Sequence, residues 1–430
     1  MINKMKDIEI QEKVNLHLLK SDKFKTDLIG IYIKRPLKEK EASMNALLTR
    51  VLERGMNKYR TAQKLNIHLD GLYGAILVSD VHKYGEKHVF QFKMQIPDKR
   101  YVPSDDIFLE SIDTLNEMIN HPLIIKDGFK EEYVEQEKKN LIQTIRSLKN
   151  DKSSYAIRRC IEVMCEGEPF KISQNGSIEK IESIDAKELY KYYREILKTS
   201  PIDICVIGNI DFDYVEAVIR KKLKFERENI ISLERENIYK LIDEVKDIEE
   251  EMEVEQGKLT LGFRTNTSYD SLDYEASVLF TTILGGGANS KLFNEIREEK
   301  SLSYYIYAKL EKHKSILLIT AGINTKDKNQ VVDLIKSNVR KIQEGVITEE
   351  ELEIAKKSII SSLESKSDYP NSFINYYYNQ LLGNQVIDIE KLIKKYQEVT
   401  IEEIVSVSKK TKLDTIHFIK GKEKVTTNEN

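Results

Sequence analysis

The run Arg50-Val51-Leu52-Glu53-Arg54 sets two arginines four residues apart, with an acid beside the second. It lies in a stretch from Glu41 to Thr61 whose apolar residues recur at helical spacing, with Ala46, Leu47, Val51 and Leu52 on one side. On such a helix positions 50 and 54 share a face one turn apart, the spacing at which two imidazoles hold one metal ion. A guanidinium has donors only and keeps its charge, so this pair repels a divalent cation. Glu53 retains a carboxylate of the kind that deprotonates a metal-bound water, and it is also three residues from Arg50, a favourable helical ion-pair spacing. The segment has the layout of a metal-binding helix with the metal ligands removed.

No other residues show the sequence spacing of a replacement ligand set. None of the seven histidines sits three or four residues from another; His82 and His88 flank the expected turn at Gly85-Glu86 and could face the same way across a hairpin. Cys160, Cys165 and Cys205 are few and odd in number, which suits reduced thiols in a cytoplasmic protein. Gly285-Gly286-Gly287 lacks the order of a phosphate loop, because Lys291 follows Ser290 rather than glycine; it reads as a sharp turn. Tyr376, Tyr377 and Tyr378 cannot share one face of a helix, so part of that cluster belongs in a core and part on a surface.

The elements that position these residues occur twice. A strand-like stretch from Asp27 to Pro36 precedes a helix opened by Glu41-Ala42-Ser43, and one from Lys258 to Thr265 precedes a helix opened by Glu275-Ala276-Ser277. Long charged amphipathic helices follow near residues 128–150 and 349–366. Each half then closes on a helix and an apolar strand stopped by glycine, Ile202–Ile210 in the first and Leu413–Gly421 in the second. Four matched elements in one order argue for an internal duplication. The charged stretch from Phe225 to Gln256 reads as a linker or connecting helix. The boundary is set near residue 240, giving an N-terminal domain of 1–240 and a C-terminal domain of 241–430. Mixed strands and helices without strict βαβ alternation predict an α+β class, each domain a mostly antiparallel sheet packed with helices. If one strand of the hairpin from Ala75 to Asp98 lies at the sheet edge, a peptide could add to it as a further strand.

With 68 basic against 71 acidic residues, the net charge of -3 gives no electrostatic reason to expect nucleic acid as a partner. No apolar run approaches the roughly 18–20 residues of a membrane helix, and the charged N-terminus lacks the apolar core of a secretory signal. These features predict a cytoplasmic location without a membrane partner.

Taken together, the Arg50–Arg54 segment and the duplicated elements resemble the pitrilysin/insulinase superfamily of zinc metallopeptidases, which includes mitochondrial processing peptidase. The resemblance spans nearly the whole chain and implies tandem α/β domains forming half of a clamshell chamber for peptides. In active members the motif His-x-x-Glu-His supplies two zinc ligands and the base, and a glutamate seven residues after another glutamate supplies the third ligand. On this sequence the two histidines fall on Arg50 and Arg54 and the base on Glu53; the pair of acids falls on Glu137 and Thr144. All three ligand positions are therefore lost. Gly285–Leu310 resembles the segment that in two-component relatives carries a substrate-binding Arg and Tyr seven residues apart, here Arg297 and Tyr304, with Tyr305 adjacent.

The resemblance implies a catalytically inactive homologue, similar to non-catalytic members of paired bacterial systems, including those associated with elongation factor P modification. It would hold no cofactor of its own. A zinc-bearing paralogue with the intact motif would be its partner, peptide its substrate, and a homodimer the alternative assembly. The rival functions are an active zinc peptidase with a displaced metal site and a stand-alone peptide-binding scaffold.

Overall fold

The computed structural model describes residues 4–104 and 106–421. They divide into two compact units. The first comprises residues up to Ile145, Ile172–Arg235 and Ser365–Asn379; the second comprises Arg146–Lys171, Glu236–Glu364 and the residues from Gln380. A single cut near residue 240 therefore misses two segments, 146–171 and 365–379, each of which folds with the unit built from the other half of the sequence.

The first unit is built on β1 (Lys4–Gln11), β2 (Val14–Lys20), β3 (Thr26–Pro36), β4 (Ile76–Tyr84), β5 (Lys87–Pro97) and β8 (Ile202–Gly208), in the order β1-β2-β8-β3-β5-β4. A two-residue hairpin, β6 (Ile124–Ile125) with β7 (Gly128–Phe129), stands apart. Only β2 and β8 run parallel. Central position explains composition: β3 and β8 are covered on both faces and read as nearly continuous apolar runs, whereas β4 at the edge exposes Ile76, Val78 and Asp80 in alternation.

The second unit repeats this wiring. Strands β9 (Lys246–Met252), β10 (Gly257–Arg264), β11 (Ser303–Glu311), β12 (Ile316–Ile323) and β13 (Lys412–Gly421) take the order β11-β12-β10-β13-β9, again with one parallel pair, β13 with β9. Strand for strand, β2-β8-β3-β5-β4 corresponds to β9-β13-β10-β12-β11, so β4 and β11 are equivalent edges. The duplicated α+β architecture is thus visible in the pairing itself. The charged connector contains no helix: residues 223–245 are irregular, and its end forms β9, whose pairing with β13 overrides a sequence of poor strand propensity.

In the first unit, helices α1 (Glu39–Glu53), α2 (Ala62–Gly71) and α3 (Ile107–Asn120) cover one face of the sheet. Leu47, Leu48, Val51 and Leu52 of α1 and Ile112 and Leu115 of α3 bury against Ile31, Ile33, Phe90 and Phe92. Each such side chain contributes about 1.5–3 kcal/mol by leaving water. This packing fixes the roll of α1 and hence the direction of Arg50, Glu53 and Arg54. The opposite face carries the helix Pro370–Leu382, where Tyr378 stacks on Tyr32 with centroids 3.7 Å apart and Tyr377 donates to Asp7 at 3.0 Å. Tyr377 and Tyr378 are buried and Tyr376 is half-buried, so none of the three takes the surface position expected for part of the cluster.

Helix α4 (Glu131–Ser147) precedes α5 (Lys152–Met164), the exchanged helix of the second unit. α5 seats Cys160 and Met164 against Ile316 and Leu318. Gly262 of β10 permits this approach, since a Cβ there would lie 2.6 Å from Met164 Sδ. Among the described residues, no helix is long and apolar enough to cross a membrane.

Candidate functional site

Helix α1 ends at Glu53, with Arg54 as its C-cap in helical conformation. Arg50, Glu53 and Arg54 therefore project from one last turn, toward α4 on one side and the β4 edge on the other. Arg50 Nη2 lies 3.5 Å from Thr144 Oγ1, and Arg54 Nη1 lies 3.6 Å from Glu137 Oε1. The Arg54 guanidinium also donates to Gln136 and rests over the Tyr133 ring, 5.1 Å from its centroid. All five residues of the altered motif, Arg50, Glu53, Arg54, Glu137 and Thr144, are thereby brought into one neighbourhood.

This neighbourhood does not suit zinc. Two of its three ligand positions carry cationic donors without a lone pair, and the third carries a hydroxyl already placed against Arg50. Glu137 is buried and takes Asn140 as well as Arg54, so its charge is neutralised by the protein's own groups. Among the described residues, no three His, Cys, Asp or Glu side chains converge as a ligand set.

The partner of Glu53 differs from the helical pairing expected with Arg50. Its Oε1 accepts the backbone N–H of Ser79 on β4 at 2.6 Å, while Arg50 turns to Thr144. Burial, with smaller pushes from Asp80 and Glu137, holds the Glu53 pKa above its ordinary value despite the opposing Ser79 amide and Arg50 charge. His82 and His88 also depart from expectation. Lys83, not His82, pairs with His88, so the two histidines point to opposite faces of the hairpin. His88 is fully buried beside Asn45, 3.0 Å away, and burial pushes its pKa down to about 3.

In the second unit Arg297 lies in the irregular helix Phe293–Glu299. Its guanidinium sits over the Phe293 ring, 4.7 Å from the centroid, with Nε 3.7 Å from Glu298. Tyr304 is the extra residue of a β-bulge: the pairing of β11 steps from Ser303↔Ile323 to Tyr305↔Gly322. The bulge pushes Tyr304 outward, leaving it 61% exposed. Tyr305 is instead held inward, its hydroxyl 2.8 Å from Ser153 Oγ on α5 and its ring under Lys258. Of the two adjacent tyrosines, Tyr304 is the one presented to solvent.

Sequence reasoning missed the contact between Glu53 and Ser79, and also a buried ionic cluster that secures the exchanged segment. Arg264, fully buried on β10, donates to Glu168 through Nη1 and Nη2 at 3.1 and 2.6 Å and to Asp414 at 3.0 Å; Lys314 and Lys240 also reach Glu168, at 2.7 and 2.8 Å. The available signal was modest: an arginine inside an otherwise apolar strand pattern requires an acid partner.

Residues 183–359 match the family described as Peptidase M16 inactive domain. The chain is 32% identical to the probable inactive metalloprotease YmfF of Bacillus subtilis over 408 residues, 95% of this chain and 96% of that protein. It is 23% identical to the non-peptidase homolog YmxG of Helicobacter pylori, over 69% of this chain and 67% of that one. Among solved structures, a conserved protein from Enterococcus faecalis V583 superimposes with a TM-score of 0.92 at 27% identity, covering 98% of this chain and 99% of that one. A peptidase M16 inactive domain from Pseudomonas fluorescens shares the fold, with a TM-score of 0.79 at 15% identity and coverage of 97% and 98%. With whole-length similarity to a probable inactive metalloprotease and arginines where two metal ligands would stand, the chain belongs to the pitrilysin/insulinase, or M16, peptidase family as one of its inactive members.

Proposed function

We propose that this chain is the non-zinc subunit of a two-component peptide-processing peptidase. A paralogue with an intact His-x-x-Glu-His motif supplies metal and base, and this chain supplies half of the peptide enclosure together with Arg297 and Tyr304. The observation that carries the reading is the contrast between the two units. The first has arginines and a threonine at the ligand positions, whereas the second presents an exposed guanidinium and a bulge-expelled phenol on consecutive elements. A guanidinium suits the carbonyls or carboxylate of a peptide, and a phenol donates near a developing oxyanion.

Co-expression with the candidate paralogue followed by size-exclusion chromatography tests the pairing. A co-eluting complex whose peptide cleavage depends on this chain is expected. Separate elution, with a cleavage rate indifferent to this chain, would overturn it, and a stable homodimer that excludes the paralogue would favour the scaffold reading.

A further inference from the structure

The β4 edge lies beside the arginine-substituted motif. Residues along an edge strand alternate between those bonded to the neighbouring strand and those whose backbone N–H and C=O point away from the sheet. Ser79, Val81 and Lys83 belong to the outward set, the groups an extended peptide would engage if it added as a further strand. Along the stretch from Ser79 to Lys83 each of these three N–H groups already has an acceptor. Ser79 donates to Glu53 Oε1 at 2.6 Å, Val81 to Asp80 Oδ1 at 2.7 Å and Lys83 to Gln174 Oε1 at 3.3 Å.

The three acceptors arrive independently: one from the end of α1, one from β4 itself, and one from a loop 91 residues further along the chain. That loop is also fastened by Lys83, whose Nζ donates to the Ile172 carbonyl at 3.2 Å. A peptide adding at this position would have to displace all three, leaving the half-buried Glu53 carboxylate without its backbone donor.

We propose that Glu53, Asp80 and Gln174 form a cap that closes the Ser79–Lys83 stretch of the β4 edge, the part beside the altered motif, to strand addition. The acid that survives from the motif serves as a strand cap and not as a proton acceptor. This narrows the function proposed above, on which it rests for its peptide context: peptide contacts made by this chain fall to the second unit, and the first contributes wall.

The test uses the full chain and two readouts. Hydrogen exchange by mass spectrometry follows a fragment spanning residues 76–84, and fluorescence anisotropy follows a fluorescein-labelled eight-residue peptide of alternating valine and threonine. Wild type and Glu53→Gln, which keeps an acceptor, are expected to exchange slowly and leave the peptide unbound. The Glu53→Ala/Asp80→Ala/Gln174→Ala variant is expected to exchange at least about tenfold faster and to bind the peptide at least about tenfold more tightly. Should that variant fail to fold, Glu53→Ala against Glu53→Gln gives the same comparison at Ser79. Peptide binding by wild type equal to that of the opened variant, with added protection of β4, would overturn the cap; so would unchanged exchange in the opened variant. The paralogue takes no part in this assay, so failure of the cap and failure of pairing are separate results.

Discussion

Replacing Glu168 by glutamine should loosen the second unit by an amount the structure allows to be worked out. Glu168 lies in the exchanged segment and accepts from Arg264, Lys314 and Lys240, of which Arg264 is 0% and Lys314 1% exposed. Burial alone would raise its pKa, but Arg264, Lys240 and Lys314 hold it at about 2 against an ordinary 4.5. A shift of that size corresponds to about 3 kcal/mol of preference for the charged, folded form. Breaking a buried ion pair from one side costs about 3–5 kcal/mol, an independent route to the same range. At roughly 2–4 °C per kcal/mol for a unit of this size, Glu168→Gln should lower its unfolding temperature by about 6–12 °C at pH 7.

The sign with pH is fixed. A depressed carboxylate pKa gives stability that is fully present above about 4.5 and is lost as pH falls through about 2. The gap between wild type and variant should therefore shrink over that interval. Differential scanning calorimetry at pH 7, 4.5 and 2.5, with hydrogen exchange over residues 152–171, reads both effects. A variant melting within about 2 °C of wild type at pH 7, or a gap independent of pH, would refute the reasoning.

Three further outcomes follow from other parts of the chain. Arg50→His/Arg54→His should hold zinc no better than wild type, because Thr144 still faces the site; adding Thr144→Glu should create tight binding, seen as a stabilisation of about 2.7 kcal/mol at zinc a hundredfold above Kd. Tight zinc binding by the double variant would show that the third ligand position lies elsewhere. Arg297→Ala or Tyr304→Phe should slow cleavage by the paired enzyme while moving the melting temperature by no more than about 1 °C, whereas Tyr305→Phe, which loses Ser153, should cost about 1 kcal/mol of stability and leave cleavage unchanged. Asp27, raised to about 7 by burial and by Asp98, keeps its proton longer in the folded state, so stability should fall as pH rises from about 4 to 7 and Asp27→Asn should flatten that slope in a urea titration.

The repeat was legible because local pattern carries it. The central strands β3, β8 and β10 are apolar runs, and α1 has an unbroken helical face, so chain order alone reveals the duplication. The degenerate motif was legible for the same reason, since a four-residue spacing on a helix fixes a shared face. Elements whose structure depends on distant partners were not. β9 reads KDIEEEM and becomes a strand only by pairing with β13. α5 sits on the second sheet through Arg264 and Glu168, which are 96 residues apart. The true partner of Glu53 is a backbone amide 26 residues away, a type of contact that side-chain spacing does not encode. The histidine pairing failed for a simpler reason: the turn falls at Gly85-Glu86 as expected, and that turn sets Lys83 opposite His88, so His82 and His88 lie on opposite faces.

Arg50, Arg54 and Thr144 stand where zinc ligands would be, which gives the expectation that this chain keeps the fold without holding the metal. Its most direct test is the zinc content of the purified wild-type chain, measured by inductively coupled plasma mass spectrometry after equilibration with micromolar zinc and removal of the excess. Far less than one zinc per chain is the expected result. One tightly held zinc per chain, lost on chelation, would contradict the account.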